Sequence, residues 1–299
     1  MSEHRPSGHR VPDPSPAVPV WFGLGVPNGG DFADPWRLIE LARTAERSGW
    51  DGFFLWDHVI RRAPWQPMVD PWVVLAAVAS STEQLVLGPM VTPLARRRVS
   101  VVARQTATLD RLSKGRLRLG VGLGAPDDEF TRFGESADPK VRAAVLDESL
   151  EALEALWTGE QVEFRGRHVT ADGVQFLPRP MRGRVPIWVA GVWPGGAPFR
   201  RAARFDGVWP IAGHGGELSV DEFAACLDAV RAHRTGEQGA AERGVAEFDA
   251  CCMGRDPSVE KLGALHDAGL TWWIESLDDP EVPFDTHLAH VAAGPPSLA

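Results

Sequence analysis

Eight short apolar runs, rich in β-branched and aromatic residues and each followed by a helical pattern, constrain this 299-residue chain more than any single motif. They lie at 20–24, 52–56, 85–88, 117–121, 187–190, 207–209, 245–248 and 270–274. The first four begin at residues 20, 52, 85 and 117, the spacing of one strand–helix–strand unit. Strands of this kind, buried on both faces and alternating with helices, imply a closed parallel eight-stranded barrel. An open doubly wound sheet shares the alternation, but no G-x-G-x-x-G opens a helix after the first strand.

Asp-Pro pairs at 34–35, 70–71, 138–139, 256–257 and 279–280 predict helix starts. An Asp at the N-cap accepts an orphan backbone N–H, and Pro at the first helical position loses no hydrogen bond. Gly49, Gly159 and Gly269 predict three helix ends, where a left-handed residue is cheapest as glycine. Two strand-like stretches, 162–169 and 173–178, interrupt the rhythm and predict a hairpin insertion (159–186) between the fourth helix and the fifth strand. Residues 20–295 therefore read as one barrel domain, preceded by a flexible proline-rich tail over 1–19. The polar, glycine-bearing stretch 231–244 reads as a surface loop.

Charge and cysteine content exclude several functions. A formal charge of -9 lacks the basic stripe that nucleic acid requires, and it disfavours an anionic membrane surface. Cys226, Cys251 and Cys252 form neither a disulfide framework nor a metal ladder, which suits a reducing cytoplasm. The longest apolar run, 72–79, is too short to span a bilayer, and no apolar segment opens the chain.

In such a barrel, chemistry belongs at the C-terminal ends of the strands. Asp57 and His58 follow the second strand directly, and His exchanges protons readily near neutral pH. After the third strand, Pro89 within Gly88-Pro89-Met90-Val91 must end or bulge the ladder. Arg96, Arg97 and Arg98 follow, either as anion holders or as a solvated helix start. Gly122 and Gly124 after the fourth strand, and Ala190-Gly191-Val192 after the fifth, could let a flat ligand or its phosphate approach the backbone. Trp272, Trp273 and Glu275 would set aromatic bulk and a carboxylate at the mouth, with one of the two Trp turned outward. Glu247 and Glu275 leave room for a glycosidase-like pair. There is no G-x-S-x-G, H-E-x-x-H or Walker sequence, and His58, His168 and His214 are not spaced as a metal triad. A glycine-lined, aromatic pocket short of nucleophiles suits a cofactor that brings its own reactivity.

The run 106–117 (TATLDRLSKGRL) resembles the "TLD-x-LS-x-GR" signature of the luciferase-like monooxygenase family. Val121-Gly122-Leu123-Gly124, Glu129-Phe130 with Phe133-Gly134, Ala45-Glu46 with Gly49-Trp50-Asp51, 186–191 and Asp206-Gly207 are similar to that family too. The resemblance implies a (β/α)8 TIM barrel holding reduced FMN or a deazaflavin across its mouth. It places Gly88, Pro89, Met90 and Val91 behind the central ring, with a non-prolyl cis bond at Met90–Val91. It sets Ala190, Gly191 and Val192 against the phosphate, and Asp57 and His58 beside the reactive face, near the flavin N5 edge. The first expectation is thus a monooxygenase using reduced FMN from a separate flavin reductase on a small organic substrate. That substrate would enter between the 159–186 insertion and the strand-end loops. Hydride transfer by a deazaflavin coenzyme is the alternative, and a cofactor-binding barrel without turnover is the third. A homodimer is the assembly that the resemblance brings with it.

Overall fold

A computed structural model, describing residues 20–214, 216–234 and 248–296, turns the apolar runs into strands around a ring. In chain order come β1 (Trp21–Val26), α1 (Pro35–Arg47), β2 (Gly52–Leu55), α2 (Pro71–Ser81), β3 (Val86–Pro89), β4 (Thr92–Pro93), α3 (Val99–Leu112), β5 (Leu119–Gly122), α4 (Asp128–Thr131) and α5 (Pro139–Trp157). There follow β6 (Gln161–Arg165), β7 (Thr170–Gln175), β8 (Ile187–Trp193), α6 (Ala197–Ala202), β9 (Gly207–Ala212), α7 (Val220–Arg234), β10 (Asp249–Gly254), α8 (Val259–Ala268), β11 (Trp272–Ser276) and α9 (Phe284–Ala292).

The main sheet runs β3-β2-β1-β11-β10-β9-β8-β5-β4, and every pairing in it is parallel. β3 and β4 are two halves of one barrel strand, interrupted at the cis Met90–Val91 peptide. β3 pairs with β2 and β4 with β5, while Leu87 bridges to Leu117, so the ring closes as an eight-stranded (β/α)8 barrel. Gly88 makes that closure possible, because a Cβ there would lie 1.9 Å from the Arg118 carbonyl oxygen.

Side chains alternate along each strand, as the pleat requires. Phe54, Trp188, Trp209, Trp272, Cys251 and Ile274 fill the interior, while Phe53, Val189, Val208 and Trp273 join the outer core beneath the helices. The rings mesh closely, with centroids 5.2 Å apart for Phe54–Trp188 and 5.4 Å for Trp188–Trp272. Below them Asp249 accepts from Trp188 Nε1 at 2.9 Å and Trp272 Nε1 at 3.2 Å. Burial pushes the Asp249 carboxyl above its ordinary range, more than Arg118 and the two indoles draw it back. The barrel is thus plugged at one end and open at the other.

Three of the five Asp-Pro pairs cap helices as expected: Asp34, Asp70 and Asp138 accept from Trp36 N, Val73 N and Lys140 N at 2.8–2.9 Å. The other two do not. α8 is capped by Ser258, since Asp256 donates its backbone N–H to Glu275, and Asp279 accepts from Glu281 N in a turn before α9. Gly49, Gly159 and Gly269 all take positive φ at helix ends. The hairpin is present as antiparallel β6–β7. Of the expected seventh strand, 245–247 lies outside the described residues, as do the 1–19 tail and most of the 231–244 loop; the strand seen is β10. Among the described residues no helix is long and apolar enough to cross a membrane.

Candidate active site

A cavity of about 390 Å³ opens at the C-terminal ends of the strands, above the aromatic plug. Its lining includes His58, Met90, Val91, Gly122, Gly124, Ala190, Gly191 and Val192, residues that the sequence nominates from four separate strand ends. Gly122 keeps the wall thin, because a Cβ there would come within 2.9 Å of Val91 Cγ2. Trp56, Trp209 and Met253 add apolar wall that sequence reasoning missed.

Gly88 and Pro89 do not line the cavity; they serve barrel closure below it. Ala190-Gly191-Val192 lies within β8 rather than in a loop beyond it. The 159–186 segment contributes nothing to the cavity, which corrects the expected entry route. It joins a helix end to a strand start, and so sits at the barrel's opposite end. Trp272 packs inward and Trp273 outward, so neither reaches the cavity lining.

Glu275 also faces away from the mouth. Its oxygens accept from Trp273 Nε1 at 2.9 Å and Asp256 N at 2.8 Å, and burial raises its carboxyl. With Glu247 outside the described residues, no glycosidase pair is formed among those described. Asp256, Glu275 and His290 bring potential metal-ligand atoms within 4.8 Å of one another, but none of the three lines the cavity.

Beside the cavity lies a buried charge network. Glu129, at 0% exposure, accepts from His58 Nδ1 at 3.1 Å and from the backbone N–H groups of Val59 and Ile60 at 3.1 and 3.2 Å. Its other oxygen accepts from Arg96 Nη1 at 2.5 Å. Burial pushes the Glu129 carboxyl up, yet His58, Arg96 and the Ile60 amide outweigh it and hold the group below its ordinary range. Glu129 is therefore an anion and an acceptor only, so Nδ1 of His58 carries the proton. Nε2 is the nitrogen left for exchange.

Asp57 is the network's second anion. Arg97 Nη2 and Nε donate to its two oxygens at 2.7 and 3.0 Å, Arg96 Nη2 at 3.1 Å and Thr92 Oγ1 at 2.8 Å. Trp72 Nε1 completes the set at 3.3 Å. With both oxygens engaged, Asp57 ties the end of β2 to β4 and to the segment before α3. Arg96 and Arg97 thus neither hold an external anion nor sit in solvent; only Arg98 is exposed.

Barrel, mouth cavity and histidine together place the candidate site at the C-terminal ends of the strands. The luciferase-like monooxygenase family profile matches residues 21–261, and the chain belongs to that family. Among curated proteins it is similar to F420-dependent glucose-6-phosphate dehydrogenases. That of Nakamurella multipartita is 35% identical over 217 residues, covering 70% of this chain and 61% of the relative. That of Nocardia farcinica is 34% identical over 223 residues, covering 71% and 64%. The chain thus spans less than two thirds of these relatives' length. Among solved structures, an F420-dependent secondary alcohol dehydrogenase in complex with an F420-acetone adduct superposes with a TM-score of 0.75 at 16% identity, covering 92% and 99% of the two chains. That likeness is one of fold.

Proposed function

We propose that this protein is a deazaflavin-dependent oxidoreductase that moves hydride between its coenzyme and a small organic substrate. The observation that carries this reading is a histidine held by a buried anion at the edge of a glycine-lined, apolar cavity. The relatives named above support the deazaflavin over the FMN monooxygenase that the sequence favours first.

The cavity suits a planar ring. Its walls are apolar, and at Gly122 a single Cβ would press on Val91 and fill part of the space. Met90, Val91, Gly122, Gly124, Ala190, Gly191 and Val192 would hold the coenzyme. When bound, it supplies a two-electron hydride donor or acceptor that reacts poorly with oxygen. Glu129 fixes the His58 ring through Nδ1, and Nε2 takes or gives the substrate's proton. The enclosing side chains keep bulk water from the exchange.

Titration with FMN and with deazaflavin, followed by fluorescence of the wall residues Trp56 and Trp209, tests the reading. The deazaflavin quenches below millimolar concentration. FMN binding without deazaflavin binding overturns the proposal in favour of the monooxygenase.

A further inference from the structure

We infer that Asp256, Glu275 and His290 form a second site on this molecule, one that binds a divalent transition-metal ion of the zinc type on the outer side of the barrel. The inference stands apart from the coenzyme reading, since none of the three residues lines the mouth cavity.

The three side chains come from separate elements whose ends meet. β11 alternates, so Trp273 faces outward, Ile274 inward and Glu275 outward again. Asp256 lies in the turn between β10 and α8, and His290 in the last turn of α9. Asp256 N donates to Glu275 Oε1 at 2.8 Å, which holds that turn over the strand end. One potential ligand atom from each side chain then lies within 4.8 Å of the other two.

What the cluster lacks is positive charge. Glu275 is 3% exposed, yet among the described residues no lysine or arginine pairs with it. The neighbouring cations are taken: Arg255 pairs with Asp278 and Asp279, and Lys261 with Glu217. The Asp256 carboxylate makes no hydrogen bond or ion pair among the described residues. A buried carboxylate without a permanent counter-charge is costly. Each Glu275 oxygen accepts one hydrogen bond, from Trp273 Nε1 or Asp256 N, which leaves lone pairs for a cation.

The spacing fits a shared ion. His290 Nε2 lies 3.8 Å from Glu275 Oε1, too far for a hydrogen bond. Two donors about 2.0–2.2 Å from one tetrahedral zinc lie roughly 3.4 Å apart. The exposed Asp256 side chain is free to swing in and complete the set. An imidazole nitrogen beside two carboxylates favours zinc-like ions over Mg2+ or Ca2+, which prefer oxygen alone. One turn before His290 on the same face of α9, His287 is 7% exposed, and its Nε2 has no hydrogen-bond partner among the described residues. An orphaned nitrogen so placed is what water on a hydrated ion would satisfy. The ion would tie the turn after β10, β11 and α9 together.

Calorimetric titration of the chelator-treated full chain with zinc chloride should show one site with a Kd of about 10 µM or tighter. Co2+ in its place should give the visible absorption bands of a four- or five-coordinate ion. His290→Ala and Asp256→Asn should each weaken zinc by about tenfold or more and abolish those bands. Both side chains reach the surface, so these variants keep the test decisive where Glu275→Gln fails to fold. Zinc at about a hundredfold its Kd should raise the wild-type Tm by about 5 °C or more, and that of His290→Ala by no more than about 1 °C. Absence of saturable zinc binding below about 1 mM overturns the inference. So does Mg2+ or Ca2+ binding as tightly as zinc, or zinc affinity unchanged in both variants.

Discussion

Glu129→Gln removes one charge from the buried network and almost no volume. The amide oxygen can still accept from Val59 N and Ile60 N, but the new amide N–H groups face Arg96 Nη1, which sits 2.5 Å from the carboxylate. A hydrogen bond to a charged partner contributes about 1.5–3 kcal/mol, and removing one partner of a buried ion pair costs about 3–5 kcal/mol. Arg96 keeps its contacts with the Asp57 carboxylate and carbonyl oxygen, which moves the expected loss to about 2–4 kcal/mol. At about 2–4 °C per kcal/mol for a chain of this size, Tm falls by about 4–16 °C at pH 7. Scanning calorimetry or thermal circular dichroism measures it.

The pH dependence has a definite sign. In the folded state the Glu129 carboxyl is held below its unfolded value, so its stabilisation is fully present above that value, about 4.3. It is lost as pH falls through the folded value. The Tm gap between wild type and Glu129→Gln should therefore be full at pH 7 and close progressively below about pH 4. A variant within about 1 °C of wild type at pH 7, or a gap unchanged down to pH 3, would refute the ionised, load-sharing carboxylate.

Three further substitutions separate chemistry from architecture. His58→Ala should lower kcat by about 10²–10⁴-fold while deazaflavin affinity stays within about threefold, read by steady-state kinetics beside fluorescence titration; retained turnover removes His58 from the mechanism. Gly122→Ala should displace Val91, 2.9 Å from the new Cβ, and weaken coenzyme binding by about tenfold or more, with unchanged affinity counting against a coenzyme at this wall. Gly88→Ala meets a backbone carbonyl at 1.9 Å and should cost about 1–3 kcal/mol or more, seen as a lower Tm or lost soluble yield; a normally folded variant would disprove its role in closure.

Seven of the eight strands are legible in the sequence because each concentrates branched or aromatic side chains in a short run, on both faces in most and on the outer face alone in β5, whose inner positions are glycine. β10 is not. Its Ala250-Cys251-Cys252-Met253 core carries no β-branched or aromatic residue, and adjacent cysteines suggest redox chemistry before packing. Yet Cys251 faces the tryptophan plug and Cys252 the outer core, ordinary alternation with small side chains. Burial pushes the Cys252 thiol up to about 12, which leaves it a packing group. The hairpin is legible from its pattern but not its place, which follows from connectivity: a segment between a helix end and a strand start cannot reach the open mouth.

The cavity wall is legible because glycine after a barrel strand has few other uses, whereas the charge network is not, because its partners lie 15 to 71 residues apart. One signal was available. Basic residues end the third barrel strand, acidic residues follow the second and fourth, and neighbouring strand ends in a barrel must face one another. On that argument Arg96 and Arg97 belong to Asp57 and Glu129 from the start, two charges of each sign cancelling at the rim. That cancellation has a functional consequence. Glu129 remains an anion because Arg96 holds it there, so His58 keeps one orientation and one exchangeable nitrogen. Because Arg96 and Arg97 are held by Asp57 and Glu129, their charge fixes the strand ends and the His58 ring rather than facing solvent.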